Sequence, residues 1–387
     1  MDALLSADQI QVRREIRRLL DDVCDAASVR AMDETKQFPA KIWTALAEAG
    51  WCGIAVPEAY GGAGADLLTL AVVVEQIARS SLSLGLMYFT TQFSAVHTLK
   101  RYGTEEQRRE FLPRIATGEV RVSFGFTEPD GGSDFLGKCA TFATSAGDSY
   151  VLNGRKVFTT GLSYSQYVLV LARTSPRDAR NRTLGFGMFL IPRDSPGLSY
   201  RPIDTISVRA SSTNEMVLDG VRAPRASIVG EVGLAFRQLF SSLNEERILT
   251  AALALGNGQA AIDDAVRYAG ERTAFGGPIS RFQGLQHPLA KIATRLAGAR
   301  ALTYGAAHDL DAGRDTKVTA VMAKYEAAEA GFDAAHQGLR TMGGYGMATE
   351  FAMQRYFRDA HAMVNGPLTS EMCLNVIAES LGMARSY

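Results

Sequence analysis

Cysteine is scarce in this 387-residue chain: Cys24, Cys52, Cys139 and Cys373 lie far apart and never form CxxC. That spacing excludes a disulfide framework or a zinc knuckle and suits a reducing, cytoplasmic setting. Net charge is lacking too, because 41 Lys and Arg balance 41 Asp and Glu. A neutral chain has no driving force for tracking a phosphate backbone, so no nucleic acid partner is expected. No apolar run approaches the ~20 residues that cross a bilayer, and the charged, amphipathic opening MDALLSADQIQVRREIRRLLDD has no signal-like core; no membrane role is expected. The five histidines (His97, His287, His308, His336, His361) show neither HxxxH nor HExxH spacing, so no metal is expected. GxGxxG, GxSxG and the P-loop are also missing, which removes Rossmann dinucleotide, serine-hydrolase and P-loop chemistry.

What is present is a globular composition, 47% hydrophobic and 21% charged, long enough for two or three domains at roughly 150 residues each. The texture changes twice. Residues 1–118 read as helices: Ile10, Val12, Ile16, Leu19 and Leu20 recur at helical spacing, and IWTALAEAG and LLTLAVVVEQIARSS follow. Trp43 and Trp51 read as core residues of this region. Residues 119–230 read as short strands such as VRVSFGFTE, YVLVLART and LGFGMFLIP, separated by Gly, Asn, Asp or Pro. Within them SYVLNGRKVF, with Asn153-Gly154 between apolar runs, predicts a hairpin. Residues 231–387 return to helices, expected near 232–271, 281–312, 315–345 and 367–383. The fold class is therefore α+β: an N-terminal helical domain, a middle β domain and a C-terminal four-helix bundle.

Three constellations carry chemistry. Phe124–Asp134 (FGFTEPDGGSD) ends a strand and opens a Gly-rich loop whose N–H groups and Ser133 suit a phosphate; a plain surface turn explains it equally well. Arg272-Thr273-Ala274-Phe275-Gly276, then Phe282-Gln283, closes a long helix, where arginine can bind an anion or complement the helix terminus. Met342-Gly343-Gly344-Tyr345-Gly346 permits close approach of something flat or charged, or ends a helix.

Together VPEAYGGAG, YGTEEQRREFLPRIATGE, FTEPDGGSD, LNGRKVFTTG, ERTAFGGPISRFQ, TMGGYG and RYFRDA resemble the acyl-CoA dehydrogenase family of flavoproteins, in the family's order across nearly the whole chain. The resemblance implies FAD. Phe126 and Thr127 would meet the pyrimidine edge of the flavin and Ser133 its pyrophosphate. Phe158, in Lys156-Val157-Phe158-Thr159-Thr160, would lie on the ring where relatives carry Trp, with Thr160 near N5. Arg272, Phe275 and Gln283, with Arg340, Gly343 and Gly344, match cofactor-binding segments. Arg272 and Gln283 match positions that reach a neighbouring subunit's FAD, so a homotetramer is implied. Arg340 stands where relatives have Gln, and Thr369 matches the threonine near the cofactor.

The family's commonest catalytic glutamate is missing. Counting on from Arg358-Asp359-Ala360, its position falls on Pro367, which offers neither a carboxylate nor an N–H for the thioester oxygen. Other branches of the family place the base on an earlier helix, directly before an arginine, and Glu246-Arg247 stands there. Leu239, Leu243, Glu246, Thr250 and Leu253 share one apolar helical face, which suits a base of raised pKa. Glu245 shares its face with Gln238, Ser241 and Ser242, which suits a solvated carboxylate. A buried structural ion pair is the alternative reading of Glu246. The expected activity is FAD-dependent α,β-dehydrogenation of an acyl-CoA or acyl carrier protein thioester, with electron-transfer flavoprotein as acceptor. A flavin monooxygenase and a non-catalytic flavin-binding subunit are the rivals.

Overall fold

The computed structural model describes residues 2–178 and 180–384. Helices α1 (Ala7–Val23), α2 (Ala26–Thr35), α3 (Ala40–Glu48), α4 (Leu67–Ser80), α5 (Leu82–Thr91), α6 (Thr98–Tyr102) and α7 (Glu105–Ala116) form the first part. Ser6–Gln9 and Thr104–Gln107 make capping boxes at the starts of α1 and α7, satisfying N–H groups that the helices cannot bond internally. α5 runs into α6 through one π-helical turn at Gln92–His97. Trp43 and Trp51 are both core residues, and the Trp43 indole donates to the Gly118 carbonyl at 3.0 Å.

The middle part is a sheet of β1 (Val122–Gly125), β2 (Phe142–Ala146), β3 (Ser149–Thr160), β4 (Tyr167–Arg173), β5 (Phe186–Pro192), β6 (Leu198–Pro202), β7 (Thr213–Pro224) and β8 (Ile228–Gly233), with the short helix α8 (Phe135–Lys138) after β1. The order is β6-β7-β3-β2-β4-β5-β8, and β1 lies parallel to β4. β4 reads as an uninterrupted apolar run because both its faces are covered. Val168, Val170 and Ala172 enter the sheet's own core, while Leu169 and Leu171 join the large core shared with the helices.

The expected hairpin at Asn153-Gly154 does not form. β3 passes straight through, pairing with β7 on both sides of a register shift between Leu152 and Gly154. Gly154 is required there because a Cβ would stand 2.6 Å from Thr141 Cα of the neighbouring chain segment. The real turn is Gly147-Asp148, between β2 and β3. The two flanks are held in one line by a partner strand far away in sequence, which local turn chemistry cannot register.

The last part contains α9 (Ala235–Phe240), α10 (Leu243–Glu271), a two-stranded ribbon of β9 (Thr273–Ala274) and β10 (Gly277–Pro278), α11 (Gln283–Asp311), α12 (Lys317–Met342), α13 (Gly344–Met347), α14 (Met353–Asn365) and α15 (Ser370–Ser380). The single helix expected over 232–271 is broken at Ser241-Ser242, so Leu239 belongs to a different helix from Glu246. α14 was not among the expected helices.

α10 is the axis of the helical core, packing against α4 on one side and α11, α12 and α14 on the others. Its closest approach to α4 is at Gly256, where a Cβ would lie 2.3 Å from the Glu75 carbonyl oxygen and 2.7 Å from the Arg79 nitrogen, both backbone atoms. Gly256→Ala must push the two helices apart; the expected cost is about 1–3 kcal/mol, read as a lower Tm than the parent.

Candidate active site

The site is assembled at the end of β1 by one buried ion pair. Lys156 on β3 donates to Glu128 Oε1 at 2.8 Å and to the Phe126 carbonyl at 3.0 Å. Glu128 also accepts the N–H groups of Ala140 (2.6 Å) and Thr141 (3.1 Å), and the Cys139 thiol approaches at 3.2 Å. Burial alone would push the Glu128 carboxyl upward; the Lys156 charge and these donors outweigh it and hold the pKa at about 2. This pairing sets Phe126–Ser133 beside Lys156–Thr160, and the Val157 N–H donates to the Thr127 carbonyl at 2.9 Å.

β3 then loses register with β7 between Lys156 and Thr159, and Phe158 takes φ 55° with its residue surface 61% exposed. A bulge of this kind re-aims a side chain, here turning a phenyl ring out of the sheet. Thr160 is partly buried, and Gly161 donates to the Ser211 and Ser212 carbonyls, both at 3.0 Å. Ser133 lies exposed in the Gly132–Asp134 turn. Phe126, Thr127, Phe158 and Thr160 are thus drawn together, with Ser133 on the same loop.

Glu246 lies in the first turn of α10 and is partly exposed. Its carboxylate makes no hydrogen bond or ion pair among the described residues. Desolvation raises its pKa to about 7, against the milder pull of Arg247 and Lys324. Arg247 is buried and donates to Asn244 Oδ1 at 3.1 Å. The Lys324 residue, 1% exposed on α12, reaches among the described residues only the Val364 carbonyl, at 3.5 Å.

Glu245 is not the solvated carboxylate expected of it. The break at Ser241-Ser242 destroys the continuous polar face, and Glu245 is buried against Arg101 at 2.8 Å. His97 lies 3.8 Å away, but burial pushes its pKa down to about 3, so Arg101 alone supplies the opposing charge. The alternative once open to Glu246, a buried ion pair, is taken by its neighbour.

The remaining expected residues lie elsewhere in the chain. Arg272 caps the far end of α10, about 39 Å from Glu246 at ~1.5 Å per residue. Arg272, Phe275 and Gln283 are exposed, Phe275 at 89% with φ 52°, and so are Arg340, Gly343 and Gly344 around the end of α12. They cannot join Glu246 in one site within a single chain. Thr369 caps α15 by accepting the Met372 N–H at 3.2 Å, and exposed Pro367 stands just before it. Lys156, Glu128 and Lys324 were not singled out by the sequence, because no periodic pattern links residues so far apart.

The residues fit FAD: an aromatic ring exposed beside threonines, a Gly-rich loop carrying an exposed serine, and a carboxylate of raised pKa with no partner among the described residues. These define a flavin-type oxidoreductase site in an α+β fold. Family models for the acyl-CoA dehydrogenase N-terminal, middle and C-terminal domains match residues 6–119, 123–221 and 236–382. A probable acyl-CoA dehydrogenase of Bacillus subtilis is 37% identical over 98% of this chain and 100% of its own length. A 3-(aryl)acrylate reductase of Clostridium sporogenes is 36% identical over 95% and 94%. The structure of a glutaryl-coenzyme A dehydrogenase with glutaryl-CoA superposes with a TM-score of 0.92 at 32% identity, covering 99% of this chain and 97% of that one. The chain belongs to the acyl-CoA dehydrogenase family. It is accordingly a FAD-dependent oxidoreductase of CH–CH bonds in acyl thioesters. No described helix is long and apolar enough to cross a membrane.

Because the folded pKa of Glu128 is depressed, its contribution to stability is present above the usual carboxylate range near 4.5 and is lost as pH falls through about 2. Glu128→Gln is expected to cost ~3–5 kcal/mol at neutral pH by stranding Lys156. The gap to the parent, followed by thermal unfolding across pH, should close between about 4.5 and 2.

Proposed function

We propose that Glu246 removes the α-proton of an acyl thioester. The observation that carries this reading is its carboxylate, partly exposed, unpaired among the described residues and raised to about 7 by desolvation. A base with that pKa is matched to neutral pH. FAD, when bound, accepts the β-hydride. Arg247 and Lys324 oppose the desolvation of Glu246, keeping enough carboxylate ionised to act. Phe158, Phe126, Thr127 and Thr160 would hold the flavin ring, and Ser133 its phosphates. Arg272, Phe275, Gln283, Arg340, Gly343 and Gly344 would serve a neighbouring subunit's cofactor, which the ~39 Å along α10 supports.

Pro367 leaves the thioester oxygen one donor short of the usual family arrangement. The Leu368 N–H makes no hydrogen bond among the described residues and is the replacement we assign. The acyl group is carried on coenzyme A or an acyl carrier protein, and an electron-transfer flavoprotein is the acceptor. Exposed Phe275, Tyr345 and Met347 on the outer ends of the helices suit burial between subunits of a homotetramer. Four free thiols suit the cytoplasm.

Glu246→Gln should slow flavin bleaching by acyl thioesters at least ~10²-fold while FAD stays bound. In the parent, the reduction rate should climb with pH and level off above about 7, as the base loses its proton. Full-rate bleaching in Glu246→Gln would sink the assignment; oxygenation of an amine without any thioester bleaching would favour the monooxygenase.

Arg272→Ala should weaken FAD retention, measured as flavin lost on gel filtration, without changing helix content. A monomer that keeps its FAD fully would contradict the shared site.

A further inference from the structure

A cleft away from Glu246 encloses about 370 Å³ between α2, the 203–209 segment joining β6 to β7, and the start of α14. Its charges are unevenly spent. Arg358 donates to Asp33 at 2.6 Å, with Arg209 3.9 Å from the same carboxylate, and Lys36 pairs with Asp204 at 2.6 Å. Glu34 stays at the exposed rim. Two cations remain without a hydrogen bond or ion pair among the described residues: exposed Arg30 on α2 and Arg355 on α14. Arg355 is only 6% exposed, yet it lines the cleft. Its guanidinium lies 5.3 Å over the Tyr356 ring and in the field of Asp359, whose carboxylate accepts from the Val208 N–H, so its donors are left for an anion in the cleft.

The backbone points the same way. α14 has 13 residues and begins without a side-chain cap at Ala352. The Ala352 carbonyl takes the Arg355 and Tyr356 N–H groups, whereas those of Met353 and Gln354 bond to nothing among the described residues. Free N–H groups at a helix start favour an anion, and the Arg355 fork stands beside them. Thr349 and Thr205 line the same space, though the Thr205 hydroxyl donates to the Ser207 carbonyl at 2.8 Å.

We infer that this cleft binds a phosphoryl dianion, gripped by Arg355 and the start of α14 and closed over by Arg30. The volume exceeds an inorganic phosphate ion and suits a phosphate monoester bearing an organic group. One wall is tied to the flavin segment: the Val208 N–H donates to Asp359 at 2.6 Å, and Ser211 and Ser212 accept from Gly161. A ligand here would brace the strand end that carries Thr160, whichever residue is the base.

The test is calorimetric titration of the FAD-loaded protein at low ionic strength with inorganic phosphate and, separately, with adenosine monophosphate. Saturable binding of one anion per chain is expected, weakened about 10–100-fold in Arg355→Met and less in Arg30→Met. Similar affinity for both probes would show that the phosphoryl group alone is read. Tighter binding of the nucleotide would show that the rest of the cleft reads its organic group. Because Arg30 is exposed, its variant should fold even if Arg355→Met does not. No saturable binding of either probe, or binding that both substitutions leave unchanged, would overturn the proposal.

Discussion

The Lys156–Glu128 pair is the constraint on which the rest of the candidate site depends. Its two residues lie on different segments and are almost fully buried. Each is tolerated inside only because the other, with the Ala140 and Thr141 N–H groups, replaces the lost water. Once the pair forms, the loop after β1 has no freedom to leave β3, and the Thr127 carbonyl meets the Val157 N–H. The bulge that follows can then spend backbone strain at Phe158 on presenting an aromatic face. A buried pair adds little net stability over an apolar core, so its value here is geometric.

Glu246 illustrates the opposite economy. It makes no hydrogen bond or ion pair among the described residues, whereas its neighbour Glu245 is paired with Arg101. The raised pKa of Glu246 is the signature of that neglect, and it costs folding free energy above the usual carboxylate range. Such costs concentrate where a group must stay reactive. Glu246 and Arg272 stand at opposite ends of α10, about 39 Å apart along its axis at ~1.5 Å per residue.

Much of this was legible in the chain itself. The alternation of texture showed helices, then strands, then helices, since burial of a strand or a helix face leaves a periodic trace. The FTEPDGGSD and RKVFTTG segments were recognisable because local motifs carry their chemistry in adjacent residues. Two errors trace to partners distant in sequence. Asn153-Gly154 has the composition of a turn, yet β7 holds it straight. Ser241-Ser242 continues a helical pattern, yet the chain breaks there and removes Leu239 from the Glu246 face.

By itself the sequence determined the order and type of the elements, the absence of metal and P-loop signatures, and the two adjacent carboxylates among which a base was sought. The sequence already favoured Glu246 over Glu245; only the tertiary structure set what surrounds each. Consecutive residues on a helix point about 100° apart, so Glu245 and Glu246 face different neighbours whatever their shared local sequence. One meets Arg101, brought from the first helical region by packing although it lies 144 positions away in the chain numbering. The other meets burial and the fields of Arg247 and Lys324, and its pKa follows from that surrounding rather than from its own chemistry.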